Sequence, residues 1–199
     1  MEPAEQTIQT SLAGRIGSVF VTGLMALLGL VTFGAAIALL MSAEWVGGWI
    51  LLVLSLFILA LLAYVLRDAR AKLGWRIVIG ETMIELSLPA NRSLIHRPEA
   101  FKGAIAIPSV RGVECYPESY VQLGQESLIE VWWLVLRDGR TILLAEDRGL
   151  ASDYVAPTDF ARRTGQAIAD AAGVQVRYLP VAEGRAGILG VWGARPPQR

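Results

Sequence analysis

The sequence predicts a membrane α-helical hairpin joined to an α+β domain, in which an antiparallel sheet is followed by a C-terminal helix. Three observations predict it. Between Ile16 and Leu66 the only charged side chain is Glu44, whereas acids and bases are common from Arg67 onward. Beyond that shift, apolar residues alternate in short runs with the period of half-buried strands. Then ARRTGQAIADAA changes to helical spacing and stops at Gly173.

Residues 1–16 read as a cytoplasmic segment, 17–66 as the hairpin, 67–182 as the cytoplasmic domain and 183–199 as a flexible tail. The uncharged run from Gly17 to Met41 is about 25 residues long, enough to cross ~30 Å of hydrocarbon with some tilt. A second run, Val46 to Leu66, suits another crossing. Between them Gly47 and Gly48 are expected to supply the unusual backbone angles of a tight turn. The competing reading, a cleaved signal peptide ending at MSA before Glu44, is disfavoured by the length of the first run and by the second run directly behind it.

Arg15 precedes the first helix, no base lies in the loop, and Arg67, Arg70, Lys72 and Arg76 follow the second. The positive-inside rule then places both termini in the cytoplasm. Arginine far outnumbers lysine and alanine and glycine are abundant, which resembles proteins of GC-rich bacterial genomes, so the expected location is a bacterial inner membrane. Trp45 and Trp49 at the outer end, with Tyr64 and Trp75 at the inner end, are expected at the interfaces, where amphipathic rings sit. In the first helix Thr22, Ala26, Gly29, Phe33 and Ala36 share a face of mostly small residues, and Gly34 with Ala38 forms a second small pair. Small residues allow close helix approach in lipid. Such a face packs either on the chain's own second helix or on another membrane protein. Neither segment has an ionisable residue in its interior, which argues against transport by this chain alone.

In the polar domain, WRIVIG and MIELSL flank Glu81-Thr82 as an antiparallel pair, and Pro89-Ala90-Asn91 ends that run. Arg92 to Lys102 reads as a loop or irregular strand. AIAIPSVRGVECY resumes strand character, with Pro108 at a strand edge or start. Leu128 to Glu146 is a β-hairpin around Asp138-Gly139, a dipeptide suited to a type I′ turn. Thr158 or Asp159 is the expected N-cap of the helix, and Val174 to Leu179 a last extended segment.

Several classes of chemistry find little support. Zero formal net charge gives no electrostatic case for nucleic acid. One cysteine and one histidine provide neither an internal disulfide nor a multi-histidine metal site. Gly184-Arg185-Ala186-Gly187 lacks the Lys-Ser or Lys-Thr of a phosphate loop. His96 reads as a solvated loop histidine, and Cys115 as a small side chain packed on a strand. Glu114, Glu118, Glu126, Glu130, Glu146, Asp147 and Asp153 read as a solvated face. Neither a cofactor nor a metal is expected. Trp132 and Trp133 are adjacent on a strand, so one ring points inward and one outward. The outward ring anchors a partner or the headgroup region if exposed, and is ordinary core if covered. Trp192, in the apolar island of the tail, is a further candidate anchor.

A membrane hairpin followed by strands, the phrase IAIPSVRGVE, the hairpin LVLRDGRTILL and the closing AAGVQV resembles bacterial membrane proteins with pleckstrin-homology-like domains. The resemblance covers roughly Trp75 to Leu179 and implies a small bent sheet or partly open barrel used for binding or assembly. The functional expectation is a non-enzymatic membrane subunit or assembly factor, with the bilayer and another membrane protein or complex as partners. The alternative is a membrane-tethered sensor that binds lipid headgroups or a small ligand.

Overall fold

The computed structural model describes residues 5–90, 92–93, 95–122, 125–149, 160–187 and 190–197. The chain divides into two compact units, Thr10–Leu73 and the remainder.

The first unit is a pair of long helices, α1 (Leu12–Met41) and α2 (Trp45–Gly74). Both are apolar enough to cross a membrane. Each has 30 residues, about 45 Å at 1.5 Å per residue, so each exceeds its predicted span. At the start, the Ser11 hydroxyl accepts from the Gly14 amide and begins α1 ahead of the uncharged run. At the other end, RDARAKLG is composed largely of good helix formers, so α2 continues past the last apolar residue. The hydrophobic boundary therefore does not mark the end of a helix.

The turn differs from expectation. Its left-handed residue is Ala43, at φ 64°, and the Glu44 amide donates to the Leu39 carbonyl to cap α1. Gly47 and Gly48 belong to the first turn of α2 and serve close approach instead: a Cβ on Gly48 would lie 2.6 Å from Leu40 Cγ and Cδ2. Further down, a Cβ on Gly29 would lie 3.1 Å from Leu59 Cδ2. Thr22, Thr32 and Ser55 donate their hydroxyls to carbonyls of their own helices, which satisfies these polar groups without a partner helix.

Among the described residues, the second unit holds two larger sheets and one α-helix. In the first sheet β1 (Gln6–Gln9), β2 (Arg76–Ile79), β3 (Met83–Leu88) and β4 (Phe101–Ala106) lie antiparallel in that order. A short 3-10 turn, Ile107–Ser109, carries Pro108 in its first positions and leads into β5 (Val110–Gln122). The second sheet follows β5 with β6 (Gln125–Leu136) and β7 (Thr141–Gly149) as an antiparallel meander. After α3 (Phe160–Ala172), β8 (Val176–Tyr178) and β9 (Ala182–Glu183) pair parallel with β5, so this sheet is mixed rather than wholly antiparallel. Neither sheet closes into a barrel. The segment expected to be a flexible tail contains a two-stranded ribbon, β10 (Arg185–Gly187) and β11 (Gly190–Arg195).

One core joins both sheets to α3. Ile77, Ile84 and Leu86 of the first sheet, Val113, Trp132 and Leu134 of the second, and Ile168 of the helix are all buried in it. Gly165 lets α3 lie directly on the indole of Trp132, since a Cβ there would come within 2.8 Å of Cζ3. Gly173, at φ 62°, ends the helix as expected, with the Val174 amide donating to the Ala169 carbonyl. The expected N-caps, Thr158 and Asp159, lie outside the described residues. The start of α3 receives its cap from the neighbouring strand: the Asp147 carboxylate accepts from the amides of Ala161 at 3.1 Å and Arg162 at 2.9 Å. Asp147 is buried by this role, which corrects its reading as a solvated acid. The β6–β7 turn differs too: Gly139 alone has positive φ, at 87°, and its amide donates to Leu136. That is a type I turn followed by a left-handed glycine, not a type I′ turn.

Candidate functional site

The strands of the second sheet alternate between two environments. Val113, Cys115, Trp132 and Leu134 face the shared core. On the other face Tyr116, Tyr120, Ile129, Val131, Trp133 and Leu143 form a smaller cluster, covered by the segment around Ile95. Glu118 lies on that face too, because it falls between Tyr116 and Tyr120 at a spacing of two.

Arg92 fixes the covering segment. Its Nε donates to the Leu143 carbonyl at 2.6 Å, and its Nη1 to the carbonyls of Pro89 at 2.8 Å and Glu99 at 2.7 Å. Burial lowers its pKa to about 10, so the guanidinium stays charged at neutral pH while satisfying three carbonyls. Buried Ser93 accepts from the His96 amide at 3.0 Å. Arg97 adopts φ 46°, a left-handed conformation uncommon outside glycine, which turns the chain immediately after His96.

His96 Nε2 then meets the carboxylate of Glu118, 3.0 Å from Oε1 and 3.1 Å from Oε2. The Tyr120 hydroxyl donates to Glu118 Oε2 at 2.6 Å. The imidazole also stands edge-on to the ring of Trp133, 5.6 Å between centroids. The side chains of His96 and Glu118 are only 11% and 4% exposed. The backbone at Gly184 lies against the Tyr120 ring, where a Cβ would stand 2.6 Å from Cζ. The Tyr120 hydroxyl is pushed well above the ordinary phenol range, first by burial, then by its bond to Glu118 and the negative charges of Glu118 and Glu146. Two sequence expectations are thereby corrected. His96 is not a solvated loop residue, and Glu118 does not belong to a solvated face. The signal available in the sequence was the period-two series Tyr116, Glu118, Tyr120: an acid flanked by two aromatic rings on one strand face is drawn in with them.

A histidine on a carboxylate is the geometry of a general base. Here both carboxylate oxygens are engaged and the imidazole is largely covered, so the cluster acts as a polar clasp between the covering segment and the sheet. Cys115 is on the other face, buried as expected; burial first, then Glu130 and Asp147, push its thiol up to about 12, which keeps it protonated and unreactive at neutral pH. Among the described residues, no group of three or more His, Cys, Asp or Glu is placed to hold a metal ion.

The other residues singled out from the sequence fall into distinct places. Gly29 and Ala36 are buried, and Gly29 faces Leu59 and Ile58 of the chain's own second helix. Thr22 and Ala26 are half-buried, and Phe33 is exposed. Gly17, Gly23 and Gly34 have open space where a Cβ would stand. Trp45 and Trp49 are exposed at the start of α2, Arg70 is exposed near its end, and Arg67 and Lys72 are half-buried. Trp75, expected at the interface, is instead part of the domain core: its Nε1 donates to the Leu144 carbonyl and its ring meets Phe160 edge-on, 4.3 Å between centroids. An indole of that size immediately before β2 is a better core anchor than an interface ring, because α2 has carried the chain eight residues past its apolar run. Trp132 is fully buried and Trp133 half-buried under His96, so neither is a free anchor. The side chains of Tyr64 and Trp192 lie outside the described residues.

Comparison with family models, curated proteins and solved structures finds no significant match.

Proposed function

We propose that this chain is a non-enzymatic subunit or assembly factor of a bacterial cytoplasmic membrane. The hairpin α1–α2 anchors it, and the sheet-rich part, pleckstrin-homology-like in plan, binds a protein partner on the cytoplasmic side. One observation carries the reading: the hairpin is an insertion within a single sheet. Gln9, before α1, pairs with Arg76, after α2, in adjacent antiparallel strands. The Thr10 hydroxyl donates to the Lys72 carbonyl at 2.6 Å and closes the base of the hairpin. A sheet cannot be divided by a bilayer, so the chain leaves and returns on one side, which supports an even number of crossings. Removal of the first helix as a signal peptide would take β1 from its sheet. Arg67, Arg70 and Lys72 at the returning end, and no base in the loop, support the cytoplasm as that side.

The outward faces of the helices support the bilayer as their solvent. Phe20, Leu24, Leu30, Ile50, Val53 and Phe57 are all exposed, while buried Gly29, Ala36 and Ser55 lie within the hairpin. In the second unit the clustered polar groups bond one another, which favours binding over turnover. Affinity purification of the full-length protein in mild detergent, followed by mass spectrometry, tests the reading. A stoichiometric protein partner is expected. Recovery of the chain alone would refute it and favour lipid or ligand sensing. Topology is tested with Cys115→Ala as background: a cysteine at Ala43 should label from the outer side of spheroplasts, and one at exposed Val181 only after lysis.

A further inference from the structure

We infer that Arg67 and Arg70 of α2 form a binding site for the phosphate of an anionic phospholipid headgroup in the cytoplasmic leaflet. The inference rests on the membrane-anchoring part of the reading above and goes beyond its protein partner.

An orphaned donor marks the place. Arg67 Nε is shielded from water and meets no acceptor. Buried polar groups are almost always bonded, so an unmet N–H on a charged group is where an acceptor from outside the chain belongs. Among the described residues, neither Arg67 nor Arg70 makes a hydrogen bond or an ion pair. The neighbouring cations differ: Arg15 and Lys72 are engaged in interactions of their own. Arg67 and Arg70 are thereby left as a pair open to an anion.

Depth in the bilayer says which anion. The uncharged stretch of α2 runs from Trp45 to Leu66, which is 22 residues. At 1.5 Å per residue it covers about 33 Å, against ~30 Å of hydrocarbon. Arg67 is the next residue and stands at the hydrocarbon edge, with Arg70 about 4.5 Å farther along the axis. The headgroup layer of one leaflet is about 5–8 Å deep. Both guanidiniums therefore lie at the level of the lipid phosphates. Positions i and i+3 share a face of a helix, so the two can grip one phosphate. Nε and one Nη of a guanidinium form a fork that matches two phosphate oxygens, and the orphaned Nε of half-buried Arg67 is one arm of it. Exposed Arg70 adds charge from the headgroup side. A zwitterionic headgroup brings its own cation against these arginines, whereas an anionic one does not, so the site selects net negative charge.

The test uses the full-length chain in neutral detergent, with phosphatidylglycerol and phosphatidylcholine of the same acyl chains as probes and native mass spectrometry as the readout. Phosphatidylglycerol should bind at least fivefold more tightly than phosphatidylcholine and should raise the unfolding temperature. Arg67→Gln should lose that preference and Arg70→Gln should weaken it. Arg67→Lys keeps the charge without the fork and should lose most of it. Arg111→Gln removes the same charge from an exposed strand residue and should change nothing. Lysine is as good a helix former as arginine, so Arg67→Lys keeps the site falsifiable even where Arg67→Gln does not fold. Equal retention of the two lipids by wild type, a preference that survives Arg67→Gln, or its loss in Arg111→Gln would overturn the site. So would an Arg67→Lys variant that matches wild type, because net charge alone would then suffice. Inorganic phosphate in large excess should leave the lipid bound; displacement would overturn the lipid assignment in favour of a soluble anion. The reading beneath fails separately: release of the chain from membranes by alkaline carbonate would overturn the anchor, whereas a chain that stays and shows no lipid preference overturns this site alone.

Discussion

Replacing Glu118 tests whether the buried clasp holds the covering segment. Glu118→Ala removes the acceptor of both His96 Nε2, at 3.0 Å, and the Tyr120 hydroxyl, at 2.6 Å. A hydrogen bond to a charged group contributes about 1.5–3 kcal/mol, and loss of one member of a buried pair costs roughly 3–5 kcal/mol. Glu118→Ala should therefore destabilise the domain by about 3–5 kcal/mol. His96→Ala leaves the carboxylate still accepting from the Tyr120 hydroxyl, which limits the cost to about 2–3 kcal/mol. Independent effects would add, but the two residues share one interaction. The double variant should thus lose about 2 kcal/mol less than the sum of the single losses. The assay is guanidinium unfolding of the full-length protein in detergent, followed by tryptophan emission. Trp133 under His96 serves as a local reporter, and hydrogen exchange around Ile95 should accelerate in each variant. Additivity within about 0.5 kcal/mol would refute the coupling, and unchanged exchange at Ile95 would refute the clasp.

Three further outcomes follow from the packing and the titrations. Gly165→Ala should destabilise the domain by roughly 1–2 kcal/mol in the same assay, because its methyl lands on the Trp132 indole and overpacking outweighs a helix-propensity gain of about 1 kcal/mol; equal stability would mean that α3 and the sheet separate freely. Cys115 and Tyr120 are both held protonated beyond their ordinary values, so their contribution is full below about pH 9 and is lost as the unfolded chain sheds those protons. Stability should therefore fall by about 1.4 kcal/mol per pH unit above pH 9 for Cys115, ending near pH 12, and by a similar slope above pH 10 for Tyr120, and Cys115→Ala should flatten the decline measured between pH 8 and 11. Gly29→Leu should lower the thermal resistance of the hairpin in detergent, since it drives into Leu59, whereas Gly34→Leu, with open space at its Cβ, should not; equal effects would refute the packing of α1 on α2.

The parts of the fold legible in the sequence are those set by local pattern. The uncharged runs announce two long helices, alternation announces β2, β3, β6 and β7, and Gly173 announces the end of α3. The parts that were not legible depend on partners distant in the chain. Gln6–Gln9 has too few residues to declare a strand; it becomes one because Arg76–Ile79, beyond the whole hairpin, presents a ladder to it. Asp147 looks like any acid near a strand end until α3 sets its first amides on the carboxylate. His96 and Glu118 each read as solvated when taken singly, since an isolated charge is costly to bury, and only their pairing across the covering segment removes that objection. The same reasoning accounts for Trp75 and Trp132, whose indoles suit an interface by type and a core by placement.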